Sequence, residues 1–247
     1  MRKFVLLAVV ILVTGLAFLI LFAKEAGKEK EVEKPKMGEN ISFNTNDGIK
    51  IAATFYKSQN PNGVGVILLH MRAKSRGDWA DFAAKLNDAG FDALAIDFRG
   101  HGESGGVSVN KFSESDYQKL TLDVAAAEDY LKNENIKITI AGGSIGANTA
   151  LNYAVQNPNV KAVVLLSPGL NYKGVRTDGT SKQITVPIFL ASSSDDPQSY
   201  DGLATWKANI KNLELVTYTD AGHGTDMFGP HPELAEKIID WLKKTTL

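Results

Sequence analysis

Six short apolar runs recur along this chain with helical patterns between them, and that alternation limits its fold more than any other feature. The runs cover residues 64–69, 93–96, 136–141, 160–166, 187–191 and 213–218. Strands apolar on both faces belong inside a parallel sheet covered on each side. Between them, apolar residues fall at helical spacing: Trp79, Phe82, Ala83 and Leu86, then Tyr117, Leu120, Val124, Ala127 and Leu131. Ala147, Ala150, Leu151 and Ala154 form a third such face, and Leu234, Ile238, Trp241 and Leu242 a fourth. Ahead of all this, Ile49, Ile51, Ala53 and Phe55 alternate at period two after residues 41–45, which predicts an antiparallel hairpin. The expected class is α/β, with a mainly parallel central sheet of about eight strands and helices on both faces. With 44% hydrophobic residues the chain can fill such a core.

Sites in such sheets gather just past the carboxyl ends of the strands, so those residues carry the functional argument. After the run 136–141 comes Gly142-Gly143-Ser144-Ile145-Gly146, a G-x-S-x-G sequence between a strand and an alanine-rich helix. With 14 serines and 22 glycines in 247 residues, chance supplies only about 0.1 such matches. A serine exposed on so tight a turn needs small neighbours two residues away on either side, because strand and helix backbones nearly touch there. After the run 187–191 comes Ser192-Ser193-Ser194-Asp195-Asp196-Pro197, and after 213–218 comes Thr219-Asp220-Ala221-Gly222-His223-Gly224. A serine, an acid and a histidine thus follow three strands in the chain order of one kind of catalytic triad.

Residues from about 40 to 247 therefore resemble the α/β-hydrolase fold family. The strand ending Leu68-Leu69-His70 and the turn Asp97-Phe98-Arg99-Gly100-His101-Gly102-Glu103-Ser104 are also family-like. The resemblance implies a serine hydrolase acting on carboxylic esters through an acyl-enzyme. Ser144 would be the nucleophile and His223 the general base. Family members commonly carry the acid just before a proline, which favours Asp196, followed by Pro197, with Asp195 as the alternative. The oxyanion donors implied are the backbone N–H groups of Met71 and Ile145. A common pattern has glycine where Met71 stands, so this side chain is expected to crowd or line the acyl pocket.

Other residues have structural readings. His70, ending a buried strand, is expected to bond backbone beside the oxyanion loop, and His101 to sit in its turn. His231, between two prolines, is expected to face solvent or neighbour a helix cap. Asp97, Arg99 and Glu103 are expected to hold their turn by charge-assisted bonds. Four histidines on four separate loops make no metal set, and the glycines of residues 100–106 form no dinucleotide fingerprint, so no cofactor is expected. Cysteine is absent, which removes disulfides, thiolate metal sites and a thiol nucleophile. A net charge of −1 gives no electrostatic case for nucleic acid.

The N-terminus reads as a separate unit. Residues 4–23 carry no charge, and as a helix at about 1.5 Å per residue they would reach about 30 Å, the thickness of a bilayer's hydrocarbon core. Arg2 and Lys3 favour a cytoplasmic N-terminus. The expected division is an anchor or signal peptide over 1–23, a Lys/Glu-rich tether over 24–38 and a hydrolase domain over 39–247. The catalytic domain is then membrane-anchored outside the cytoplasm, or secreted if the segment is cleaved. Residues 168–185 read as loop, too short for a cap domain, so the site should be open and suited to small or extended acyl substrates. Peptide cleavage or acyl transfer on the same residues, and a non-catalytic binding protein, are the alternatives. Nothing in the sequence speaks to oligomeric state.

Overall fold

The computed structural model describes residues 38–134 and 136–247. The expected anchor over 4–23, and the tether over 24–38 up to residue 37, lie outside them. Among the described residues no helix is long and apolar enough to cross a membrane.

The period-two residues form the predicted hairpin: β1 (Glu39–Asn44) pairs antiparallel with β2 (Lys50–Tyr56), with Ile41 opposite Ala53 and Phe43 opposite Ile51. The apolar runs become β3 (Val64–Leu69), β4 (Asp92–Ile96), β5 (Lys137–Gly143), β6 (Val160–Leu166), β9 (Ile188–Ser193) and β10 (Leu213–Tyr218). The eight strands make one sheet in the order β1-β2-β4-β3-β5-β6-β9-β10. From β4 through β10 every pairing is parallel.

Both faces of these strands are buried. Val64, Val66 and Leu68 point to one side, under α1 (Ala80–Asp88) and the C-terminal helix Glu233–Thr246. Ile67 and Leu69 point to the other, under the helices Leu120–Asn133 (α3) and Ile145–Gln156 (α4). Two local differences from the sequence reading stand out. The helical pattern from Tyr117 onward is split into α2 (Glu114–Gln118) and α3, with Lys119 between them. Residues 168–185 are not all loop: Asn171–Tyr172 (β7) and Val175–Arg176 (β8) pair as a two-stranded hairpin. Two-residue strands are too short for any periodicity to show.

The strand order also locates the crevice. From β3 the chain passes to β4 on one side, then crosses back over β3 to reach β5 on the other. A reversal of this kind opens a cleft between the carboxyl ends of the two central strands. Met71 follows β3 and Ser144 follows β5, so both stand at that cleft.

Candidate active site

Only Ser144 separates β5 from α4. Its φ of 54° and ψ of −119° lie where non-glycine residues are rare, a conformation that costs about 1–3 kcal/mol. Neighbouring backbone holds it there. The Ser144 N–H donates to the Leu166 carbonyl at 2.8 Å, and its own carbonyl accepts from the Ala147 and Asn148 N–H groups. The two glycines of the motif have a steric reason. A Cβ on Gly142 would collide with the carbonyl of Gly146, and one on Gly146 would collide with the carbonyl of Leu69. Larger residues would force β5, α4 and the end of β3 apart and take the serine out of its turn. Among the described residues the Ser144 hydroxyl has no hydrogen-bond partner.

The acid and the histidine meet. Asp196 Oδ2 lies 2.7 Å from His223 Nδ1, with the carboxylate mostly buried. Asp195 does something else: its carboxylate accepts the Ser193 hydroxyl and the Gly222 N–H, the latter at 3.2 Å. The Ser193 hydroxyl is the main reason its carboxyl is held below the usual range. One aspartate of the pair therefore faces the imidazole, and its neighbour secures the loop that carries it. Gly143 and Gly224, next to Ser144 and His223, approach each other: a Cβ on Gly143 would be 3.7 Å from Gly224 Cα.

Met71 fills the space beside both. It is 4% exposed; its Cγ packs on Gly143, and its Sδ packs on Gly224 closely enough to exclude a Cβ there. The side chain is thus a wedge between the loops of Ser144 and His223. Its N–H and that of Ile145 have no backbone partner among the described residues. Two free donors beside a serine hydroxyl are the arrangement an oxyanion requires. His70 fixes this loop from behind. Its Nε2 accepts the Phe98 N–H at 3.0 Å, and its Nδ1 lies 2.6 Å from the Met71 carbonyl. That pattern demands the neutral ring protonated on Nδ1, and burial lowers its pKa to about 4.

Several residues of the site carried no sequence signal. Asn148, fully buried on α4, donates to the carbonyls of Gly169 and Val175 and accepts the Gly169 N–H. It ties the β7–β8 hairpin to the helix that begins after Ser144. Tyr172, on that hairpin, sets its ring edge-on to His223 at 6.2 Å between centroids. Burial, then the charge of Asp196, pushes its phenol well above the usual range. Ser193 accepts the Ala221 N–H at 3.0 Å. Single serines and asparagines in strand ends and helices have no signature, because their role depends on what folds beside them.

The turn after β4 is saturated with charge pairs. Asp97 accepts the Arg76 and Glu103 N–H groups and the Arg76 guanidinium, which also reaches Glu103. Arg99 bonds the buried Asp123 at 2.8 Å and Asp47 through two nitrogens. His101 is buried with its ring 4.9 Å from that of His70. His231 stacks on Tyr218 and lies within hydrogen-bond distance of Asp220 and Glu233. No group of three or more His, Asp or Glu among the described residues could hold a metal ion. A cavity of about 510 Å³ lies beside the loop of His223, lined in part by Phe82, Thr225 and Phe228, and includes none of the candidate residues.

Residues 59–179 match the family model described as serine aminopeptidase, S33, which takes in Ser144 but stops before Asp196 and His223. The chain is 33% identical over 115 residues to a monoacylglycerol lipase of Mycolicibacterium smegmatis, covering 45% of this chain and 40% of the relative. Matched regions span only 40% to 55% of the lengths of the sequence relatives. Among solved structures, an esterase of Pyrococcus furiosus superposes with a TM-score of 0.69 at 24% identity, over 85% of this chain and 93% of that one. The ferulic-acid-bound Est1E of Butyrivibrio proteoclasticus gives 0.71 at 20% identity, over 83% of this chain and 98% of that one.

Proposed function

Because this chain is an α/β-hydrolase by fold, we infer that it is a serine hydrolase cleaving small or extended carboxylic esters. The observation that carries the reading is the 2.7 Å pair of Asp196 and His223 beside a strained serine with an unoccupied hydroxyl. Asp196 would hold the His223 Nδ1–H and balance the imidazolium, leaving Nε2 free for the serine proton. Ser144 Oγ would attack the acyl carbon while Nε2 takes that proton, and the oxyanion would rest on the Met71 and Ile145 N–H groups. The same proton then passes to the departing alkoxide. Water, deprotonated by His223, then attacks the acyl-serine, and as the carboxylic acid leaves His223 returns that proton to Ser144 Oγ. The similarity to a lipase and to esterases supports an ester as the bond cleaved.

Peptide-bond cleavage by the same residues has one observation in its favour, the description of the matched family model. Paired p-nitrophenyl esters and amino-acid p-nitroanilides test the choice. Ester turnover with no anilide turnover supports the esterase, and the reverse overturns it. A fluorophosphonate probe that fails to label Ser144 would remove serine catalysis and leave a binding protein on a hydrolase fold.

The location is part of the same proposal. An apolar segment over 4–23 behind Arg2 and Lys3 supports an anchored enzyme facing away from the cytoplasm. Full-length protein should stay with membranes through a high-salt wash. A native N-terminus near Lys24 or Gly27 would instead mean a cleaved signal and a secreted enzyme.

A further inference from the structure

The strand β6 ends at Leu166, and the next residue, Ser167, is fully buried with a φ of 49°. A left-handed conformation strains any residue with a Cβ, and glycine would adopt it freely. Serine at such a place therefore implies a use for its hydroxyl. Ser167 bonds in three directions. Its N–H donates to the Ala191 carbonyl at 2.9 Å, and its carbonyl accepts the Tyr172 hydroxyl at 3.3 Å. Its Oγ accepts the Gly224 N–H at 2.8 Å, in a buried bond. The residue before it, Leu166, accepts the Ser144 N–H.

Glycine at 167 would keep both backbone bonds and lose only the third. That third bond runs to the residue directly after His223. The other side chains that bond the backbone of the histidine loop, Ser193 on the Ala221 N–H, Asp195 on the Gly222 N–H and Ser194 on the Thr219 carbonyl, all reach it before the histidine. Ser167 holds it from the other side, from the same strand end that holds the Ser144 amide.

We propose that Ser167 is a positioning residue for the general base, its hydroxyl fixing His223 through the Gly224 amide at a set distance from Ser144. The inference rests on the serine-hydrolase reading for its catalytic consequence, but not for the structural hold itself. Errors of about 1 Å between reacting groups cost about a hundredfold in rate, so a loosened loop should show in kcat.

The test uses two variants of the full chain, Ser167→Gly and Ser167→Ala. Both remove the hydroxyl, but only glycine also relieves the backbone. The expected result is a Ser167→Gly protein melting no lower than the parent, with kcat on a p-nitrophenyl ester reduced at least tenfold and KM within twofold. Ser167→Ala should show the same loss of kcat and a lower melting temperature. Amide hydrogen exchange at Gly224, read by NMR, should speed up in both variants. Unchanged kcat in Ser167→Gly overturns the proposal and leaves the hydrolase reading intact. Unchanged exchange at Gly224 overturns it whatever the activity. A parent without esterase activity, whose Gly224 exchange still speeds up in Ser167→Gly, sinks the hydrolase reading while the hold on the loop stands.

Discussion

Two polar clusters border the central cleft, and they are built on opposite principles. Around the turn after β4, Asp97, Arg76 and Glu103 bond one another, and Arg99 spans Asp123 and Asp47. Nearly every donor and acceptor there has a partner. The cluster of Ser144, Asp196 and His223 is poorer in charge and is left unfinished. The Ser144 hydroxyl, the His223 Nε2 and the N–H groups of Met71 and Ile145 have no partner among the described residues. Saturated networks hold backbone; open valences wait for a reacting molecule. Charge density and unspent hydrogen-bonding capacity therefore single out different residues here, and Ser144 and His223 belong to the second group.

The sharpest way to break this comparison is to remove the group with the open hydroxyl. Ser144→Ala should lower kcat on short p-nitrophenyl esters by roughly 10^5-fold, since the nucleophile acts as one unit with its base. Stability should scarcely move, because the lost hydroxyl bonds nothing. A variant that melts well below the parent would mean the serine belongs with the saturated cluster. Next in size is the acid. Asp196→Asn should cost roughly 10^4-fold in kcat with little change in KM, by presenting the wrong donor to His223 Nδ1. Asp195→Asn keeps an oxygen for the Gly222 N–H and should stay within about tenfold of the parent. The reverse ranking would transfer the catalytic assignment to Asp195.

These two clusters also differed in how far the sequence revealed them. The elbow was legible because steric demand writes itself into residue type. Gly142 and Gly146 are the only side-chain choice where β5, α4 and the end of β3 nearly touch. The parallel sheet was legible because burial on both faces leaves uninterrupted apolar runs. Which aspartate faces His223 rested on a neighbouring proline, a family habit, with no physical argument behind it. The bonds of Asn148, Ser167 and Ser193 could not be read at all. Each joins segments far apart in the chain, and none of them needs an unusual neighbour. The helices between β9 and β10, including Leu203–Asn209, were missed because so short a helix shows scarcely two turns of its period. The contacts of Met71 were out of reach for a related reason: Gly143 and Gly224 lie on two different loops.

The third prediction concerns the saturated cluster alone. Arg99→Met leaves the Asp123 carboxylate buried without its cation, a change that costs about 3–5 kcal/mol. Urea unfolding at neutral pH measures it, and kcat per folded molecule should be unchanged. Arg99→Met combined with Asp123→Leu should recover much of the loss, because no charge then remains to be desolvated. A single variant as stable as the parent would show the pair to be solvated and the cluster far less tightly built than its geometry implies.

The smallest effect lies at the border between the clusters, in His70, which bonds the Phe98 backbone on one side and the Met71 carbonyl on the other. Its neutral form is the one both bonds require, and burial depresses its folded pKa from 6.5 to about 4. An unfolded chain therefore binds this proton more readily between those values. The stabilisation is complete above about pH 6.5 and is lost as the pH falls toward 4, by about 3 kcal/mol at most. Asp123 works against it in nearly the same window. Its folded pKa is raised to about 6, mainly by burial, so its ionisation weakens stability as the pH rises from about 4 to 6. The parent's pH profile alone mixes the two, and the comparison that separates them is with His70→Gln, which keeps an acceptor for Phe98 and does not titrate. The gap in unfolding free energy between parent and variant should narrow as the pH drops from 7 to 4.5. A gap that stays constant over that range would mean His70 keeps its ordinary pKa and is no more than a spacer behind the Met71 loop.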